Sequence, residues 1–359
     1  TRVFISDCEG PVSKNDNAFE MASHFIPEGE KLFTVISKYD DALAYVLKRP
    51  NHKAGDTLKL ILPFLKTYNV SDSAMLEFSA HSLILIAGAK ETLRHARNVA
   101  PSFIVSTSYE HYIKAVCNAL DFPYRNTYCT KLKLGKYDVP KSERAELKES
   151  AQDIAQMPML EVSVDKESMH DFSTEDQETI RRLDEVFGKR IAGMEAGRIY
   201  REVDPMGGME KAEAVRDIVQ KLGIALSDVL YVGDSITDAD AFDLVRRGQG
   251  LAVSFNGNEF AVKNAEVAVL SENSLVTAVI LDVFVRLGKA QAIVTVNDWS
   301  RGRLEKSPVS KTLLSRLFEL YPRELPKVKI ITRENMEILA EESGQFRKKV
   351  RGEAIGRLG

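Results

Sequence analysis

Two carboxylates stand two residues apart in Asp7-Cys8-Glu9-Gly10-Pro11, directly after the apolar run Val3-Phe4-Ile5-Ser6. A carboxylate at the end of a buried strand is held rigidly and can face a substrate. A second one two residues later can share the same site, and Gly10 permits a sharp exit of the chain. Ser106 closes Phe103-Ile104-Val105, where a small hydroxyl can donate to a phosphate oxygen, with the Thr107 and Ser108 amides beside it. Lys211, in Gly207-Gly208-Met209-Glu210-Lys211, places a cation in the first turn of a helix, against the helix dipole. That local violation points to an anion nearby. Val232-Gly233-Asp234-Ser235-Ile236-Thr237-Asp238 sets two carboxylates four apart in a turn after an apolar run. Such a pair can face one hard cation, and Mg²⁺ takes one or two carboxylates while keeping several waters. Each piece alone also has an ordinary reading: an acidic turn, a polar strand end, a solvated lysine, an Asp helix cap.

The elements that must position these residues can be read from apolar patterning. Val3–Ser6, Phe103–Val105, Val229–Val232, Leu251–Val253 and Val267–Leu270 are short apolar runs of the kind that form buried parallel strands. Helical spacing separates most of them. It runs through Leu32, Val35, Ile36, Tyr39, Leu43 and Val46, then Leu58, Ile61, Leu62 and Leu65, then Ala212, Val215, Ile218, Val219 and Leu222 before a Gly223 C-cap. The alternation predicts an α/β doubly wound parallel sheet. In such sheets ligands bind outside the carboxyl ends of the strands, where the chemical residues fall. Two stretches break the alternation. Residues 13–88 read as almost wholly helical, and residues 127–206 are charged with few apolar runs. Both are expected to be insertions into one sheet domain assembled from 1–12, 89–126 and 207–288. Residues 289–359 form an extension beyond it.

Composition narrows the function classes. The 359 residues carry a formal charge of −3, with 44 % apolar and 28 % charged residues, as an ordinary globular protein does. That balance argues against nucleic-acid or membrane-surface binding. No apolar run approaches the roughly 20 residues that span a bilayer, and no basic-then-apolar secretory signal is evident. Cys8, Cys117 and Cys129 make no CxxC, which excludes a cysteine zinc site and fits a reducing, cytoplasmic setting. Walker and dinucleotide glycine motifs are absent. From Arg301 onward there are fourteen Lys/Arg against eight Asp/Glu, so the tail is locally basic.

Taken together and in order, Asp7/Glu9, Ser106, Lys211 and Asp234/Asp238 resemble the haloacid dehalogenase superfamily of phosphatases and phosphotransferases, most strongly its phosphoserine-phosphatase-like branch. Residues 85–93 and 251–269 are similar to further parts of that core. The resemblance implies a Rossmann-like core and a Mg²⁺-dependent phosphatase acting on a small phosphorylated metabolite, with phosphotransferase ability in reach. Asp7 would be the nucleophile. Asp7, the Glu9 carbonyl and Asp234 would hold Mg²⁺, and Asp238 would support that shell through a water or a hydrogen bond. Ser106, Thr107, Lys211 and Asn256 would bind the substrate, and Glu9 would act as acid and base. The family usually has Asp where this chain has Glu9, which moves the carboxyl out by one methylene. In this superfamily an insertion after the first motif is a helical cap, which residues 13–88 would form. Residues 127–206 would be a second cap or a docking module. A protein partner binding through that module or the basic tail belongs to a rival reading, a catalytically weak accessory subunit.

Overall fold

The computed structural model describes residues 1–359. All five apolar runs form strands, and two further strands flank them. In chain order they are β1 (Val3–Ser6), β2 (Ser102–Tyr109), β3 (Thr127–Thr130), β4 (Val229–Gly233), β5 (Leu251–Phe255), β6 (Val267–Leu270) and β7 (Lys327–Ile330). They make one sheet in the order β3-β2-β1-β4-β5-β6-β7. The first six run parallel, and β7 pairs antiparallel with β6. β1, β4, β5 and β6 are buried at every residue, as a parallel sheet covered on both faces requires. Alternate side chains of β1 feed opposite layers: Phe4 packs with Leu230 and Val253, while Val3 and Ile5 pack with Val215 and Tyr231.

The edge strands correct two expected boundaries. β3 belongs to the sheet, although the charge pattern places the start of an insertion at residue 127. β7 lies within the expected extension yet closes the other edge of the sheet, so residues 289–359 are part of the core layer. Neither strand shows a continuous apolar run, because β3 is half-buried at Thr127 and Tyr128 and β7 buries only Val328.

The two insertions also differ from the expectation of separate modules. Leu32, Ile36, Leu62 and Phe64 from the first share one apolar cluster with Leu147, Ile154, Leu183 and Phe187 from the second. Neither half is amphipathic toward the sheet alone; each buries its apolar stripe on the other. Together they form a single helical unit, termed the cap below, whose Ser37, Asp40 and Gly55 line the same cavity as Asp7 and Ser106 at the ends of the strands. No helix is long and apolar enough to cross a membrane.

The chain order reverses at β1, with β2 on one side and β4 on the other. That is a topological switch point, the place where an open α/β sheet leaves a crevice.

Candidate active site

Asp7 follows β1 directly, and its own rigidity comes from the sheet: its amide donates to the Val232 carbonyl of β4 at 2.8 Å. Its Oδ1 accepts from the Cys8 amide at 2.6 Å and its Oδ2 from Lys211 Nζ at 2.7 Å. Burial pushes the Asp7 carboxyl up to about 8; Lys211 opposes this, while Asp238 and Asp234 add to it. Gly10, at φ 107°, lies so close to Asp234 that a Cβ there would collide with its carboxylate. A left-handed glycine is therefore what brings the first and last motifs together.

Lys211 stands in the first turn of the helix Gly208–Leu222 and is fully buried. Besides Asp7 it donates to Asp238 Oδ1 at 2.9 Å. Burial alone would lower the ammonium, but Asp238 and Asp7 hold it above the usual lysine range. The cation that opposes the helix dipole thus has the anions that the sequence implied. Asp238 accepts four donors: Lys211 and the Tyr231 hydroxyl (2.7 Å) at Oδ1, the Asp234 and Ser235 amides (2.8 and 3.1 Å) at Oδ2. A carboxylate so fully engaged fixes the orientation of Lys211, Tyr231 and its own loop.

Ser106 is buried in β2, which runs four residues further than the apolar run suggests, with a register shift between Val105 and Tyr109. The shift lets the Ser108 amide donate to Ser106 Oγ at 3.2 Å. Thr107 lines the same cavity, its hydroxyl donating to the Met206 carbonyl at 2.8 Å.

Glu9 reaches further than an aspartate would. Its Oε1 accepts from the Ser108 hydroxyl, and its Oε2 accepts from the Asn17 amide at 2.5 Å, at the start of the first cap helix (Asn17–Phe25). The extra methylene thus spans from β1 to both β2 and the cap. Burial first, then Asp16, holds the carboxyl well above its usual range despite those two donors.

The sequence-predicted residues converge except for one. Asn256, expected to touch substrate, is buried in the loop after β5; its amide donates to the Ser271 carbonyl at 2.8 Å and accepts from the Ser271 amide at 2.9 Å. It staples two loops and faces away from the cleft. Asp7, Glu9, Ser106 and Asp234 line a cavity of about 100 Å³.

The two basic residues that line the cavity escape the sequence reading. Arg347 and Arg351 project from the last long helix, Met336–Arg351, and both donate to Asp234 Oδ2, Arg351 at 3.0 Å. Their i, i+4 spacing puts both on one helix face, and the basic tail was the available signal.

Carboxylate oxygens of Asp7, Asp234 and Asp238 lie within 4.8 Å of one another, all buried. Asp7 and Asp234 have the hard oxygen donors a divalent cation of the Mg²⁺ class takes, so the donor set fits one.

The comparisons with known proteins agree with this geometry. A family model described as haloacid dehalogenase-like hydrolase matches residues 102–280. The structure of gene product AF1437 from Archaeoglobus fulgidus is 26 % identical, covers 100 % of this chain and 99 % of that one, and superposes with a TM-score of 0.80. An apo phosphoserine phosphatase structure is 12 % identical over 76 % of this chain and 95 % of its own, with a TM-score of 0.43, a likeness too distant to bear on activity. With Asp7, Lys211 and Asp238 joined by ion pairs on a core whose residues 102–280 the family model matches, the chain belongs to the haloacid dehalogenase-like hydrolases.

Proposed function

We propose that the protein is a Mg²⁺-dependent phosphomonoester hydrolase that works through an aspartyl-phosphate on Asp7. The observation that carries this reading is the meeting of Asp7, Lys211 and Asp238 by direct ion pairs beside Asp234 and Ser106 at the switch point of the sheet. Asp7, the Glu9 carbonyl and Asp234 would hold the metal. When bound, Mg²⁺ supplies positive charge that favours the Asp7 carboxylate and offsets charge on the phosphoryl oxygens.

The chain's own residues divide the remaining work. Asp7 attacks phosphorus, its second oxygen held by Lys211. Lys211 and the Ser106 hydroxyl bind equatorial oxygens of the transferring group, where positioning and electrostatics supply most of the rate. Glu9, whose burial favours the protonated form, gives its proton to the leaving oxygen and then takes one from the water that attacks the aspartyl-phosphate. The cap roofs the cavity and excludes bulk water, which suits a small phosphorylated metabolite as substrate.

The test is release of phosphate from an aryl phosphate with and without Mg²⁺, on wild type and Asp7→Asn. Metal-dependent turnover lost in the variant supports the reading. A well-folded wild type with no turnover on aryl phosphate or on a panel of phosphorylated metabolites transfers the weight to an accessory-subunit role.

A further inference from the structure

The helix Met336–Arg351 and the residues after it lie across the cavity as a strap. Ser343 donates to the Gly257 carbonyl at 2.6 Å, and the Gly359 carbonyl accepts from the Ile236 amide at 3.0 Å and from Asn258. On the cap side, Lys38 donates to the Arg357 carbonyl at 2.8 Å and Leu358 is buried in the cap's apolar cluster. Arg351 donates to the Lys14 and Asn15 carbonyls, at 3.0 and 2.5 Å, where the chain passes from the first motif into the cap. Gly352, at φ 93°, ends the helix at a point where the backbone can pivot.

The strap ends on the metal-ligand candidate. Both guanidiniums converge on Asp234 Oδ2, 3 % and 8 % exposed, and Arg347 also donates to the Asp234 carbonyl at 3.1 Å. Two single positive charges there match the charge of a divalent cation. A dication and two guanidiniums on one carboxylate repel each other, with little water to screen them. The docked state also has a defect, because Arg347 Nε is buried without an acceptor. A buried donor left unpaired makes the arrangement easier to undo. Arg347, Arg351, Leu358 and Gly359 line the cavity together with Asp7 and Asp234, so the docked strap narrows the space beside the metal-ligand candidate.

We infer that Arg347 and Arg351 act as a stand-in for the metal: strap docking and divalent-cation binding at Asp234 exclude one another, and the docked strap is the resting, autoinhibited state. The inference rests on the metal reading above. Linkage makes it reciprocal: removing the arginines tightens the metal, and the metal loosens the strap. The guanidiniums displaced from Asp234 leave the mouth of the cavity open to the substrate.

Mg²⁺ titration by calorimetry on wild type, Arg347→Gln/Arg351→Gln and Asp234→Asn tests one direction. The expected result is Mg²⁺ binding about ten-fold or more tighter in the double variant and weakened in Asp234→Asn. Hydrogen exchange of wild type with and without Mg²⁺ tests the other, and needs no variant to fold. Amides of 336–359 should exchange faster with the metal. Equal or weaker affinity in a folded double variant, or unchanged exchange in wild type saturated with Mg²⁺, overturns the strap inference and leaves the hydrolase reading standing. Absence of Mg²⁺ binding in wild type and double variant alike overturns both.

Discussion

Lys211 and the pair Arg347–Arg351 are buried cations on carboxylates of the same cavity, and the chain holds them very differently. Lys211 is fixed in the first turn of a core helix, fully buried, with Asp7 and Asp238 as partners at 2.7 and 2.9 Å. Asp238 in turn is held by Tyr231 and two amides of its own loop. The arginines arrive on a segment joined to the site through loop carbonyls and cap contacts, and one of their nitrogens has no acceptor. The first arrangement is preorganised for chemistry. The second has the form of a contact that can be exchanged.

The sharpest way to break the comparison is at the lysine's partner. Asp7→Asn should lower turnover by at least about 10⁴-fold, since an amide cannot attack phosphorus and the loss of a nucleophile is among the largest single effects. Its melting temperature should not fall, because burial already raises the cost of ionising Asp7. Activity and thermal melting on one sample decide it; retained turnover removes Asp7 as nucleophile. Glu9→Gln comes next. It keeps the length that reaches Ser108 and Asn17, and should slow alkyl phosphates by about 10²–10⁴-fold. Aryl phosphates, whose leaving oxygen departs unprotonated more readily, should lose less. A uniform small loss across a leaving-group series would make Glu9 a structural link between β2 and the cap.

Stability separates the two cation sets directly. Lys211→Met should cost about 3–5 kcal/mol, because Asp7 and Asp238 remain buried without their common partner. Arg351→Met should cost less, about 1–3 kcal/mol, since Arg347 still pairs with Asp234. Urea denaturation of both variants checks the order, and equal losses would dissolve the distinction between a fixed and an exchangeable cation. An effect that shows only in the pH dependence concerns a cap residue of the same cavity. Asp41 is buried with Oδ2 unpartnered, and burial raises its carboxyl to about 7, against the pull of Lys38. The folded protein therefore keeps a proton that the unfolded chain releases, so this contribution to stability is present below about pH 4 and is lost as pH rises toward 7. Asp41→Asn should flatten that slope by a few kcal/mol, since each tenfold difference in proton affinity between the folded and unfolded chain is worth roughly 1.4 kcal/mol. Denaturation at the two ends of the window reads it.

Strands flanking the chemistry were legible because parallel strands buried on both faces leave continuous apolar runs, and the residues at their ends then fell into one site. The edge strands left no such trace: Lys327–Ile330 alternates exposed and buried positions over four residues. That the insertions share one core was equally hidden, since each shows only its own helical stripe. Lys211 announced itself by violating a local rule at the helix start. Arg347 and Arg351 violate none, because basic residues suit the last turns of a helix, and their partner lies 113 and 117 residues away. Asn256 misleads for the converse reason: its loop position suggests a ligand, but its hydrogen bonds are spent on Ser271.

The reach of Arg351 back to Asn15, 336 residues earlier, also bears on how the protein is made. Domains emerge from the ribosome amino end first, at about 5–20 residues per second. β1 and the cap helices are therefore synthesised long before their clasp. Until residue 347 has emerged, Asp234 has neither guanidinium partner, and the Arg351 contact to Lys14 and Asn15 comes later still. The acidic cleft of the nascent chain thus gains its two guanidinium partners only when translation delivers the helix Met336–Arg351.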